Sequence, residues 1–224
     1  MKNKLFAIIA VVAMLMLSVS ALADGQLSLT HERYTLDDDG EHAYVFGQVE
    51  NIGDKTMKVT DASFELLDAD GKVLEDTESV KAVADYLQPG ESAYVYAVID
   101  LEDVEGDIAD YTFSVKGKED DKYTTIRLST ACELDPKDSD VALLTVTNDT
   151  DEVLYGVKGS VTFLDPDDNV VAINSVSMLS KVGLNPGASV TMKVEIPSDF
   201  EDAAKAIGMQ NLTLEAVACC NEKN

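Results

Sequence analysis

Two histidines, three cysteines and a large excess of carboxylates are the side chains with which this sequence could do chemistry. Nucleophilic catalysis by Ser or Cys needs a base beside the nucleophile. His31 and His42 both fall in the first half of the chain, so no triad can be assembled in the second, and neither a G-x-S-x-G nor an H-E-x-x-H spacing occurs. Carboxylate pairs of the kind a glycosidase uses are present, but among 42 acidic side chains against 17 basic ones they carry little information. The absence of Trp argues further against a sugar-cleaving or sugar-stacking site. The expectation is a non-enzymatic protein with no catalytic residue and no cofactor.

Metal binding is the next chemistry to weigh. Three turns gather oxygen ligands: Asp37-Asp-Asp39-Gly40-Glu41, Asp68-Ala-Asp70-Gly71 and Asp165-Pro-Asp-Asp168-Asn169. An EF-hand loop alternates its ligands over about twelve positions and closes on a Glu, and none of the three fits. Asp and Asn are also what tight turns select for their own geometry. Calcium therefore stands as a partner that is not favoured, and no metal ligand is assigned.

The elements that hold these residues begin with a leader. Lys2 and Lys4 precede an apolar run from Leu5 to Leu17, followed by Ser18, Ser20 and Ala21-Leu-Ala23. That is the layout of a secretory signal peptide over residues 1–23, with cleavage expected after Ala23. The run is shorter than the roughly 20 apolar residues of a spanning helix, and no later stretch suffices either. No Cys follows the run to take a lipid, and no wall-anchoring pattern is present, so the mature protein is expected free outside the cytoplasm, secreted or in the cell envelope. Loss of the two leader lysines moves the net charge of −25 two units further negative. Such a surface repels nucleic-acid phosphates and anionic membranes, so neither is an expected partner; its plain reading is a solvated acidic shell. An apolar content of 46% excludes a disordered acidic tail.

Beyond the leader the chain repeats itself at an offset of 97 residues. Asn51 meets Asn148, Asp54 meets Asp151, Leu67-Asp68 meets Leu164-Asp165, Asp70 meets Asp167, Val73 meets Val170, and Leu87-Gln-Pro-Gly90 meets Leu184-Asn-Pro-Gly187. Two domains are expected, residues 24–118 and 123–221, divided in the charged segment Lys116 to Lys122. Within each copy apolar residues recur with period two, in short runs separated by Asp-Gly, Ile-Gly-Asp and Pro-Gly turns, which reads as an antiparallel β-sandwich. In the Pro-Gly turns Pro presets φ and Gly accepts the positive φ of a type II turn. One short helix is expected before the last strand of the second copy: Ser198-Asp-Phe-Glu201 is a capping-box pattern, Ala203 to Ile207 are helix formers, and Gly208 suits the stop.

At Phe64-Glu-Leu66-Leu67-Asp68 the first copy resembles the FxLYD-type domain, a small bacterial extracytoplasmic module, with Leu in place of the motif's Tyr. The strand ending Val49-Glu-Asn51-Ile-Gly53, the Asp-Gly hairpin and the Leu-x-Pro-Gly turn are similar to that family too. The second copy departs further, keeping Asp165 of the motif beside Val161, Phe163 and Leu164. The resemblance implies two tandem immunoglobulin-like sandwiches and brings no catalytic residues with it. Phe64 and Leu66 share the parity of Ala62 and should face the core, while Asp68 can hydrogen-bond its own turn.

Two constellations remain. Counting by twos along Thr125 to Cys132 and Leu212 to Cys220 puts Cys132 and Cys220 on the apolar parity and Cys219 on the other. In an immunoglobulin-like sandwich the first and last strands can run side by side in parallel, so a Cys132 to Cys220 disulfide is expected, with reduced thiols as the alternative. The second constellation is aromatic. Val190, Met192, Val194 and Ile196 point inward in the second copy, which makes Tyr94, Tyr96 and Val98 outward in the first; Tyr44 and Phe46 are outward on the strand expected to pair with theirs. Four aromatics on one outer sheet face are either a binding surface or a cross-strand cluster, or they pack on the neighbouring domain. The function expected is a binding or structural module of the bacterial cell envelope, its partner an unknown protein or envelope component, with a divalent-ion or small-ligand sensor using the acidic loops as the alternative.

Overall fold

The computed structural model of the protein describes residues 27–78, 81–82, 84–102, 104–178 and 181–223. The expected leader, residues 1–23, lies outside them. The strands in chain order are β1 (Leu27–Leu36), β2 (His42–Asn51), β3 (Met57–Leu67), β4 (Val73–Thr77), β5 (Lys81–Ala82), β6 (Tyr86–Leu87), β7 (Ser92–Asp100) and β8 (Asp110–Glu119). There follow β9 (Tyr123–Asp135), β10 (Asp138–Thr147), β11 (Lys158–Leu164), β12 (Val170–Ser177), β13 (Ser189–Glu195), the helix α1 (Glu201–Ile207) and β14 (Thr213–Lys223). The fold is all-β, and among the described residues every ladder is antiparallel.

The N-terminal strands make two sheets. One runs β1-β2-β7-β5; in the other β3 is central, with β8 along one side and β4 and β6 along the other. Their facing sides close on an apolar core that includes Val45, Val49, Phe64, Leu66, Val95 and Ile99. Phe64 and Leu66 are fully buried, as their parity with Ala62 requires. The ring of Phe64 meets that of Phe113 edge to face at 6.4 Å.

The C-terminal strands form one sheet ordered β12-β11-β14-β9-β10-β13. β9 changes partners along its length: Tyr123 to Leu128 pair with β14, and Ser129 to Leu134 pair with β10. Side chains from both ends of this sheet, among them Val161, Phe163, Leu144 and Val194, meet in one core, so the sheet folds over on itself as a sandwich.

Equivalent turns are built the same way in both halves. Asn51 is fully buried because its Nδ2 donates to the carbonyls of Lys55 (2.7 Å) and Leu87 (2.8 Å) while its Oδ1 accepts from Gly53 N. Asn148 does the same with Glu152 (2.7 Å), Leu184 (2.8 Å) and Thr150 N. Each Asn pins a loop to a strand with backbone groups that burial would otherwise leave unpaired. Both Pro-Gly turns have Gly at positive φ, 79° at Gly90 and 71° at Gly187. In the Asp turns, Gly71 has φ 78° and Asp168, where the repeat has lost its Gly, has φ 62°.

The helix forms where expected but not by the expected cap. Ser198 makes no side-chain bond to the helix start. The N–H groups of Asp202 and Ala203 instead donate to the Asp38 carboxylate, at 2.6 and 3.1 Å, from the β1–β2 turn of the other half. A carboxylate so placed also opposes the positive end of the helix dipole.

Candidate functional site

The feature around which chemistry could be organised is the seam between the two halves. It begins with the four aromatic residues. In β2 and β7 the cross-strand pairs Tyr44↔Val98, Phe46↔Tyr96 and Gln48↔Tyr94 put all four rings on the outer face of the first sheet. That face is covered rather than free: Tyr44 and Phe46 are 9% and 1% exposed and belong to the apolar cluster of the C-terminal half, with Tyr94, Tyr96 and Val98 packed against it. Phe200, just before α1, lies 4.7 Å from the Tyr44 ring and 5.9 Å from that of Phe46. An external partner for these rings would first have to displace the second half of the chain.

Polar contacts frame the aromatic centre. Tyr44 donates its hydroxyl to Asp199 at 2.7 Å, and Tyr94 donates to Glu215 at 2.7 Å. Burial and these carboxylates together push both phenols above the ordinary tyrosine range. Asp38 N donates to Asp199 O, so the β1–β2 turn grips the helix start by both its backbone and its carboxylate. Arg33 donates to Val170 O at 2.6 Å; Arg127 reaches Glu91 at 3.1 Å and Ser92 O at 2.8 Å. Near the linker Thr125 donates to Tyr86 O, and the Tyr86 and Tyr123 rings lie 5.3 Å apart.

One margin of the seam opens into a cleft of about 400 Å³, between β5 and β7 on one side and β11 and β12 on the other. Lys81, Asp85, Tyr96, Lys158, Ser175 and Ser177 supply its polar lining, Ile173 and Val176 its apolar part. Lys158 pairs with Asp85 at 3.3 Å, and Lys81 sits 5.5 Å from the centre of the Tyr96 ring. A smaller pocket of about 130 Å³ adjoins it at Tyr155, Cys219 and Asn221.

In each acidic turn the leading Asp accepts from the turn's own residues. Asp68 Oδ1 accepts from the N–H of Asp70 and Lys72, and Asp165 Oδ1 from those of Asp167 and Asn169. Asp37 accepts from Glu41 N, His42 N and His42 Nδ1. Burial pushes the Asp37 carboxyl up, but those hydrogen bonds outweigh it and hold the group below the ordinary range; the same bond to Asp37 holds His42 above its own. Among the described residues no cluster of three or more His, Cys, Asp or Glu side chains is placed to hold a metal ion.

The cysteines correct the expected bridge: Cys132, Cys219 and Cys220 are all free. β9 and β14 run antiparallel, not parallel, and Cys220 lies opposite Ile126, six residues back along β9 from Cys132. At about 3.3 Å per residue that separation is several times what a disulfide spans. Cys220 packs in the C-terminal core and Cys219, on the other face of β14, against the N-terminal core. Burial pushes all three thiols above their ordinary range.

Asp38, Arg33, Arg127 and Lys158 are seam residues that no local pattern marks. A signal for the covered face was present in Val170 to Ile173, four consecutive apolar residues, and in Val217 and Cys219 on the off-parity of β14. A strand apolar on both faces is buried on both. No family model matches the sequence, and comparison with curated proteins gives no match. Among the described residues no helix is long and apolar enough to cross a membrane.

Proposed function

We propose that the chain is a secreted, non-enzymatic tandem of two immunoglobulin-like sandwiches, domains 24–118 and 123–221, acting as a binding or structural module of a bacterial cell envelope. The observation that carries the reading is the burial of Tyr44 and Phe46 between the halves. Two repeats joined by a short linker are here packed through an aromatic sheet face, which suits a protein that presents a fixed surface rather than a flexible pair of beads. The leader pattern and the resemblance of Phe64 to Asp68 to the FxLYD-type domain support an extracytoplasmic location. Asp37, Asp68 and Asp165 bond the backbone of their own turns and Asp38 caps α1, which supports a scaffold role for those loops over ion sensing.

Two measurements test this. Protein recovered from the envelope or medium of an expressing bacterium should begin at Asp24 and, used as bait, should retain an envelope component; retention in the cytosol with the leader intact would refute the location. Calcium should leave the melting midpoint unchanged, because only specific binding to the native state raises it. A calcium-dependent rise would replace this reading with the ion-sensing one.

A further inference from the structure

We propose that the cleft between the halves binds a small carboxylate carried on a ring or compact apolar body. The proposal rests on the binding-module reading and gives that module a ligand class. Its first support is charge. Lys81 and Lys158 both line the cleft, and among the described residues Asp85 is its only lining carboxylate, already paired with Lys158. In a chain of net charge −25 this is a local reversal of sign, and reversal at a concave site concentrates anions.

The internal repeat shows that the reversal is specific to this face. The β11–β12 ladder pairs Lys158 with Ser177, Ser160 with Ser175 and Thr162 with Ile173. Across the 97-residue offset the β3–β4 ladder has the same register, with Glu65 opposite Asp76 where Thr162 meets Ile173. The first half thus carries Asp61, Glu65, Asp76 and Glu78 where the second carries Lys158, Thr162, Ile173 and Ser175. Burial under the aromatic face explains the loss of acid at Thr162 and Ile173. It does not explain Lys158 and Ser175, which are exposed in the cleft.

The remaining supports concern shape and hydrogen bonding. Ser175 and Ser177 place hydroxyls in the cleft lining together with the Lys81 and Lys158 ammonium groups. Tyr96, Ile173 and Val176 give the cleft apolar walls, and its volume of about 400 Å³ lies within the range of small-molecule sites and far exceeds a bare oxyanion.

The test uses the mature protein and three probes: benzoate, its neutral isostere benzamide, and inorganic phosphate. Benzoate should bind saturably, with amide shifts in the nuclear magnetic resonance spectrum centred on Lys81, Tyr96, Lys158 and Ser175. Benzamide and phosphate should bind at least about tenfold more weakly, the worth of one charge-assisted contact. Lys81→Gln should weaken benzoate about tenfold on the same ground. Ser175→Glu, which restores the acid found at Glu78, should abolish binding, with both variants melting as wild type. Absent saturation, equal binding of benzamide or phosphate, or unchanged affinity in both variants would overturn the proposal. If an envelope component is still captured when benzoate fails, the ligand class falls and the module reading stands; loss of both removes both.

Discussion

Phe46→Ala probes the seam most directly. Phe46 is 1% exposed, and its ring lies 6.1 Å from Tyr44, 6.0 Å from Tyr96 and 5.9 Å from Phe200, so truncation removes contacts on both sides of the seam. Phe to Ala changes at fully buried sites cost about 3–5 kcal/mol. Two packed sheets can close part of the gap by sliding, which favours the lower end, about 3 kcal/mol, against a total stability of about 5–15 kcal/mol. The distinguishing feature is cooperativity. Phe46 points away from the core formed by Val45 and Val49, so its loss weakens the coupling between halves more than either sandwich. Urea denaturation followed by circular dichroism and tyrosine fluorescence should show one transition for wild type and two for Phe46→Ala. Phe64→Ala, the same chemistry inside the N-terminal core, should lower the stability of that half without uncoupling it from its neighbour. A Phe46→Ala cost below about 1 kcal/mol with a single wild-type-like transition would refute packing through this face.

Three further predictions concern the helix cap, the His42–Asp37 pair and the thiols. Asp38→Ala removes the acceptor of two helix N–H groups and should cost about 1 kcal/mol in urea denaturation, the usual worth of a cap; an unchanged midpoint would mean the hairpin does not cap the helix. The His42–Asp37 pair should give its full contribution between about pH 3.8 and about pH 6.5, the unfolded values. Because His42 is raised, its share is lost as pH rises through its folded value; because Asp37 is lowered, its share is lost as pH falls through its own. His42→Asn should therefore narrow its gap to wild type on the alkaline side, and melting curves that stay parallel across that range would contradict the pairing. Alkylation of native protein should label Cys132, which is half-buried, before Cys219 and Cys220, which should react only on unfolding. A peptide joining Cys132 to Cys220 would overturn the free-thiol assignment.

Much of the architecture was legible from local pattern. Alternation in Ser92 to Ile99 and Ala62 to Leu66 marked the inward faces, and the Asp and Pro-Gly turns marked the hairpins, because side-chain parity and turn dihedrals are set by neighbouring residues. Less was legible at the ends of elements. β8 runs to Glu119, through residues that read as linker, since their amides complete a ladder with Met57 to Val59. The helix sequence was recognised, but its cap lies 164 residues away at Asp38.

The candidate site divides along the same line. By itself the sequence determined that Tyr44, Phe46, Tyr94 and Tyr96 share an outer face and that Cys219 and Cys220 look to opposite sides. Only the tertiary structure decided that the outer face is covered by the chain's own second half, that β9 meets β14 antiparallel and keeps the thiols apart, and that Lys81 and Lys158 line one cleft. Period-two patterning reports that a face is buried or aromatic, and it is silent on what buries it. The covering elements lie far along the chain, 155 residues away in the case of Tyr44 and Asp199, and their approach is set by the summed packing of two sheets rather than by any local run of residues.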